Sequence, residues 1–158
     1  MSQLVTVKDA ISQASLEIGI TQREIASAVG SNDQDIAQML ALLSLVAAEV
    51  MMEEPYRATL GDGLWCFSSS GAGKPKPTAD DDLIGFDGRL AVDGLKYRFL
   101  KAKGLEFGEE MRDFLSRLNK LGARANSRVL DLDAAAGSLD RTGSPSGFGA
   151  YMPGGRVQ

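Results

Sequence analysis

The sequence predicts an all-α protein, in which a helical bundle carries a long loop and an extended C-terminal arm. Apolar residues recur at helical spacing between Phe107 and Leu121. The run from Met39 to Met52 contains only Ser44 and Glu49 as polar residues. The 25 residues from Ala134 onward contain six glycines and two prolines, so this segment buries too little apolar area to offset its ordering entropy alone.

Two short helices are predicted at the start of the chain. Thr6 is expected to cap a first helix from Val7 to Ile18, which Gly19 ends. Thr21 is expected to cap a second, shorter helix from Gln22 to Val29.

The third helix is predicted to be the longest element. It begins near Asn32 or Asp33 and ends at Glu53 or Glu54, because Pro55 restricts the residue before it. Its apolar run of 14 residues is shorter than the roughly 18 to 20 residues needed to span a bilayer. We therefore expect a helix at the centre of a bundle, or one whose surface a neighbouring subunit covers.

Glycine, serine, proline and lysine dominate from Tyr56 to Asp82, which predicts a long loop. An apolar cluster from Leu64 to Phe67 can form a short hairpin within it. Loops of this length in small domains are usually functional or contact elements.

The segment from Asp87 to Leu121 predicts a hairpin of two helices that turns at Gly104. After it, the alternation from Arg128 to Leu132 predicts a short strand. The predicted domains are thus a helical body (1–133), with the loop inserted at 56–82, and the arm (134–158).

The first helix of this hairpin is basic. We interpret its cations as a solvated or subunit-facing surface rather than a DNA-binding face, paired with acidic residues such as Glu109 and Glu110. The basic run consists of Lys96, Arg98, Lys101 and Lys103.

Composition excludes several classes of protein. A net charge of -4 argues against a chain whose main role is wrapping nucleic acid. The chain has no histidine, which removes histidine-based triads and imidazole zinc sites. Cys66, the single cysteine, cannot form an internal disulfide and is expected to be a packing residue. The N-terminus shows no secretory signal pattern.

Two further sequence patterns give only weak evidence for a ligand-binding site. Ser70 to Lys74 is similar to the end of a phosphate-binding loop, but Ser68 and Pro75 replace required residues. The aspartate clusters at 80–82 and at 131 and 133 lack the glycine and glutamate of a calcium loop, so solvated or helix-start carboxylates are expected. No catalytic, cofactor or metal site is predicted.

Residues Thr21 to Gly30, followed by Ile36, have the spacing of a helix-turn-helix, which keeps a DNA-binding regulator as the alternative function. However, no lysine or arginine lies between Arg23 and Arg57, and Asp33 and Asp35 occupy the positions that approach phosphate. DNA would repel such a recognition helix, so a structural helix pair is favoured.

The sequence LKYRFLKAKGLEFGEEMRDF at Leu95 to Phe114 resembles the small head-to-tail adaptor (connector) proteins of tailed bacteriophages. The first helix, ending at Gly19, and the long apolar helix, closing with EEPY at 53–56, resemble the N-terminal half of the same family. The resemblance covers most of residues 5 to 132 as a pattern of helices. The segment from Tyr56 to Asp82 is shorter than the β-rich insertion of many relatives.

This resemblance implies a structural virion protein, not an enzyme, which is made in the host cytoplasm and located at the head-tail interface. It implies a homo-oligomeric ring, commonly of twelve copies, that joins the portal protein to a tail or nozzle protein. Genomic DNA would pass through the ring without sequence-specific binding, and no membrane or cofactor is involved.

The resemblance also assigns roles to residues. The C-terminal extension is similar to an arm that docks along the portal, with Phe148, Tyr151, Met152 and Arg156 as its anchors. Contacts between subunits are predicted at Met39, Leu43, Lys96 and Lys101.

Overall fold

A computed structural model describes residues 4–53, 56, 57, 60 and 63–139, with side chains up to residue 124. Residues 1–125 form one compact unit and residues 126–158 a second. The described part contains four helices and three short strands, so it is mostly helical rather than all-α. They are α1 (Val7–Ile18), α2 (Gln34–Met51), β1 (Cys66–Phe67), β2 (Gly73–Lys74), β3 (Leu83–Ile84), α3 (Gly88–Ala102) and α4 (Gly108–Leu139).

Side-chain caps set the starts of the first three helices. The Thr6 hydroxyl accepts a hydrogen bond from the backbone N–H of Asp9, at 3.1 Å. Asp33 accepts from the N–H groups of Asp35 and Ile36, and Asp87 accepts from that of Leu90. Each cap satisfies N–H groups that a helix leaves without an internal partner. The predicted starts of these three helices are confirmed.

The long loop contains a small antiparallel sheet in the order β2-β1-β3. The expected short hairpin is the β1–β2 pair, in which Cys66 lies opposite Lys74. Strand β3 was not predicted, and Cys66 also lies opposite its Ile84. The Ile84 N–H donates to the carbonyl of Val5 at 2.9 Å, which ties the sheet to the chain just before α1.

Helix α3 is at the centre of the bundle, although α2 is the more apolar helix. It packs against both α1 and α2, which contact each other much less. Phe114 of α4 is fully buried and lies 5.2 Å from Tyr97 of α3, centroid to centroid. Since α3 has neighbours on several sides, its buried residues surround the helix; they are Gly88, Leu90, Ala91, Val92, Asp93, Gly94, Leu95, Tyr97 and Phe99.

Helix α2 packs on one side only. Its buried residues are Ile36, Met39, Leu43, Val46, Ala47 and Val50. The helix is long and apolar enough to cross a membrane by length and composition, but core helices meet the same criterion and its inner stripe belongs to the core.

Two predicted elements are wrong. Residues 22–29 are not helical, because the N–H groups of Ala28 and Val29 donate to the carboxylate of Asp80, at 2.9 and 2.7 Å. Tertiary hydrogen bonds therefore replace helical ones there. The predicted strand from Arg128 to Leu132 is part of α4, as are residues 134–139 of the predicted arm, because extending a formed helix costs much less than nucleating a new element.

Candidate subunit contact surfaces

Three of the four cations in the basic run bind carboxylates of other helices. The predicted pairing with Glu109 and Glu110 is wrong. Because the partners lie on or beside α1 and α2, these ion pairs join α3 to its two neighbours. They are Lys96 to Glu17 at 2.9 Å, Arg98 to Glu49 at 2.6 Å, and Lys103 to Asp35 at 2.8 Å.

Glu17 is the most heavily bonded of these carboxylates. It accepts hydrogen bonds from Arg89, Lys96 and Gln13. Burial alone would raise the pKa of Glu17, but these hydrogen bonds outweigh it and lower the pKa from 4.5 to about 2. Lys96, predicted to be a subunit contact, is therefore held within the chain, and its side chain is only 17% exposed.

Lys101, the other predicted contact lysine, is exposed. Its ammonium lies 5.8 Å from the centroid of the Phe107 ring, within the range of a cation–π contact. Lys101 can thus reach a partner without breaking an ion pair of its own chain.

The other two predicted contact residues are not at the surface. Met39 and Leu43 are both 0% exposed and lie in the core. A neighbouring subunit cannot touch side chains that their own chain encloses, so this part of the prediction is corrected. It failed because the apolar run has two faces, and the residues chosen point inward.

The outward face of α2 is also apolar. It consists of Ala37, Ala41, Leu45, Ala48 and Met52, spaced three or four residues apart and all exposed. Leu45 is 50% and Met52 79% exposed. A helix of a small monomer normally presents polar side chains on this face, so the outward face of α2 is a candidate contact surface.

A second apolar surface, the corner stripe, lies where α3 turns into α4. It comprises Leu105, Met111 and Leu115, which are 55%, 36% and 40% exposed. Arg112 is exposed beside it and makes no hydrogen bond or ion pair with the described residues. Among the described residues, this stripe is a second exposed apolar surface, distinct from the outward face of α2.

A polar cleft of about 260 Å³ lies between α3 and α4. Inside it, the buried carboxylate of Asp93 binds Nε of Arg89 at 3.1 Å and Nε of Arg117 at 3.0 Å. These ion pairs hold α4 against α3, so the charged residues of the cleft have a structural role. It is lined by Arg89, Asp93, Asp113, Ser116, Arg117 and Lys120.

Two of the three carboxylates in the first aspartate cluster, Asp80 and Asp82, are structural, whereas Asp81 is exposed. Asp82 is 1% exposed, and its carboxylate accepts from Lys74 at 2.7 Å and from the N–H groups of Thr78 and Ala79. Burial alone would raise the pKa of Asp82, but these hydrogen bonds lower it below the usual 3.8. Together with Asp80, it fixes the loop against residues 28 and 29.

Other expected sites have structural explanations. Residues 68–72 form the turn of the β1–β2 hairpin, where the N–H of Ser68 donates to the carbonyl of Ala72, and residues 73 and 74 are strand β2. Cys66 is buried, which raises the pKa of its thiol to about 11, as suits a packing residue. Within residues 20–33 the described backbone contains no helix, so the first helix of the helix-turn-helix pattern is missing. Among the residues that the structure describes, no three carboxylates or thiolates come together as a metal site.

No protein-family model matches the chain, and neither a curated protein nor a solved structure matches it. The predicted docking residues Phe148, Tyr151, Met152 and Arg156 lie outside the described residues.

Sequence reasoning missed one network of ion pairs, in which Arg89 binds Glu17 and Asp93, and Asp93 also binds Arg117. The spacing of Arg89 and Asp93, four residues apart on one helix, was a usable signal for an ion pair. Nothing in the sequence links them to Glu17 and Arg117, because those contacts depend on how the helices pack.

Proposed function

We propose that the protein is a structural subunit of a head-to-tail adaptor ring, located in the virion between the portal protein and a tail or nozzle protein. The observation that carries the proposal is the α3–α4 hairpin. Its residues Leu95 to Phe114 are the ones that resemble the adaptor family, and they form two packed helices with the turn at Gly104.

The pairing of the basic run supports a channel through which DNA slides. A cationic lining would hold the phosphate backbone by releasing its counterions. In this chain Lys96, Arg98 and Lys103 each bind a carboxylate, and the sequence is acidic as a whole. Such a subunit is suited to passing DNA without gripping it.

The proposed docking arm is the C-terminal segment that holds Phe148, Tyr151, Met152 and Arg156. Aromatic and arginine anchors spaced along such a segment can fill successive pockets of a partner. The ring body and the arm would then have separate tasks: the body assembles, and the arm attaches it to the portal.

Electron microscopy of the chain mixed with portal rings of the phage that encodes it tests this proposal. We expect particles in which a second ring is bound to the portal ring. The second ring should have either the same symmetry as the portal or a symmetry compatible with it. The variant lacking residues 140–158 should lose docking while its circular dichroism keeps the helical signal of α1 to α3.

A second variant replaces Phe148 and Tyr151 with alanine in the full chain. It removes two of the proposed anchors and keeps the length of the arm. This variant should also dock more weakly. Full docking by both variants would eliminate the arm hypothesis, and the absence of any complex with the unaltered chain would eliminate the adaptor proposal.

A further inference from the structure

Helix α4 carries a strict heptad repeat along its whole length. Between Gly108 and Leu139, ten positions spaced alternately three and four residues apart hold only apolar residues or glycine. A repeat sustained over four heptads is the pattern of a helix that pairs with another helix as a coiled coil. We call these positions the heptad seam; four of them are glycine or alanine, and the larger six are Met111, Leu115, Leu118, Val129, Leu132 and Leu139.

The contact of α4 with its own α3 does not explain this repeat. Helix α3 has 15 residues and α4 has 32, so α3 can cover no more than about half of α4. The side of α4 that packs on the core includes Phe114 and Leu121, and the next residue at the same spacing of seven is Arg128. The core-facing side therefore stops being apolar where the heptad seam continues.

The part of the heptad seam with described side chains is only partly covered. Leu118 is 4% exposed and lies in the core, whereas Met111 and Leu115 are 36% and 40% exposed. Helices in proteins owe most of their stability to the packing of an apolar face. A helix of 32 residues with this repeat therefore needs a partner along the heptad seam that α3 is too short to provide.

The partner must be a helix of comparable length with its own heptad repeat. The other described helices have 12, 18 and 15 residues and supply the core. Residues 140–158 contain five glycines and two prolines, a composition unsuited to a long helix. Among the described helices only α4 has both the length and the repeat, so the fitting partner is α4 of a second copy.

The edges of the heptad seam do not repel a second copy. Residues directly beside a seam decide which helices can pair. In α4 the charged residues at these flanking positions are Arg112, Arg128 and Asp133, which form no row of like charge. The three carboxylates in the first two turns of α4 lie at heptad positions away from the seam; they are Glu109, Glu110 and Asp113.

We propose that α4 pairs along the heptad seam with α4 of a second copy of this chain. A helix of 32 residues is about 48 Å long, so a seam about 10 Å wide buries on the order of 500 Å² per copy. Standard interfaces bury roughly 800 Å² on each side, so pairing should depend on concentration. This contact is independent of the adaptor proposal, since a single seam closes at two or three copies and a larger ring needs other surfaces.

Sedimentation of the full chain over a range of concentrations tests the pair with the variants Leu132→Glu and Leu130→Glu. The two leucines are two residues apart, but only Leu132 is at a seam position, and residues two apart do not share a helix face. Leu132→Glu places two carboxylates in an apolar seam and should raise the concentration needed for association by at least about tenfold. Leu130→Glu is the matched control and should associate as the unaltered chain does.

Leu115→Glu and Ser116→Glu make the same comparison in the half of α4 with described side chains, where both positions are exposed. This second pair of variants serves if Leu132→Glu precipitates, and circular dichroism checks that each variant is folded. Equal effects within both pairs would overturn the proposal, because the heptad positions would then have no special role. So would an unaltered chain that stays monomeric up to about 1 mM, where even a millimolar contact is substantially populated.

The pairing of α4 and the adaptor function can fail separately. A chain that associates with this contrast between seam and control variants, yet never binds a portal, would support the heptad seam and eliminate the adaptor function. A chain that docks on a portal but stays monomeric alone would overturn the pairing of α4 and keep the adaptor function.

Discussion

Gly94 lies against Phe114, and the absence of a side chain at Gly94 is what lets α4 approach α3. A Cβ atom at this position would lie 3.0 Å from the Phe114 ring and 2.5 Å from a methyl carbon of Val46. Both distances are too short for carbon atoms in contact. Gly94 therefore lets two completely buried side chains, Val46 of α2 and Phe114 of α4, pack directly against the backbone of α3.

Gly94→Ala should destabilise the protein. In an exposed helix interior this change gains roughly 1 kcal/mol from helix propensity, but overpacking a close contact costs about 1–3 kcal/mol. We expect a net loss of about 1 kcal/mol in the free energy of unfolding, measured by urea denaturation.

The matched control is Gly122→Ala. Gly122 is also helical, and a Cβ there meets nothing within 4 Å. This variant should gain up to about 1 kcal/mol. If the two variants shifted the urea midpoint in the same direction, the short distances around Gly94 would not explain the effect of Gly94→Ala on stability.

Asp82→Asn should be among the most damaging single changes in the loop. It removes the charge that Lys74 binds at 2.7 Å and places an amide where two backbone N–H groups need an acceptor. Breaking such a buried arrangement costs about 2–4 kcal/mol. Asp81→Asn, at the exposed neighbouring position, should stay within about 0.5 kcal/mol. Thermal unfolding of the two variants compares them directly.

The Glu17 carboxylate should make stability depend on pH in the acid range. Its pKa is about 2 in the folded chain against 4.5 ordinarily, so the folded state binds fewer protons. The stabilisation is fully present above about pH 4.5 and is lost as the pH falls towards 2. Since the carboxylate is partly exposed, we expect a contribution of about 1 kcal/mol.

Glu17→Gln provides the comparison for this pH effect. Its free energy of unfolding should lie below that of the unaltered chain at pH 6, and the difference should shrink as the pH approaches 2. A difference that stayed constant across this range would mean that Glu17 acts through packing and not through its charge.

The local elements of this fold are readable from the sequence because their signals are local. Thr6, Asp33 and Asp87 cap helices within three residues of themselves, and Gly19 ends α1 with a left-handed φ of 81°. The hairpin of β1 and β2 likewise joins neighbouring residues. Each of these depends on contacts that the nearby sequence contains.

The elements that sequence reasoning got wrong depend on distant residues. The predicted helix at 22–29 fails because Asp80 binds the N–H groups of residues 28 and 29. The sequence also did not indicate that α3 lies at the centre of the bundle, because the average hydropathy of this helix is low and its packing depends on small residues such as Gly94. Average apolarity identified α2 as important but could not tell its inner stripe from its outer one.

The same limit explains the contact residues. Lys96 and Lys101 look equivalent in the sequence, yet Lys96 binds Glu17 while Lys101 is exposed over Phe107. The partner of Lys96 lies 79 positions away, and only the packing of α1 on α3 brings them together.

Charge reversal should therefore separate the two lysines. Lys96→Glu places a carboxylate beside Glu17 and should lower the free energy of unfolding by about 1 kcal/mol. Lys101→Glu removes only an exposed cation–π contact, for a loss of about 0.5 kcal/mol, but it alters a surface residue predicted to contact the next subunit. We expect Lys101→Glu to weaken self-association in sedimentation while its melting curve stays nearly unchanged. Assembly of Lys101→Glu at the level of the unaltered chain would remove this lysine from the subunit contact, and an unchanged melting curve for Lys96→Glu would mean that its ion pair with Glu17 contributes nothing to the fold.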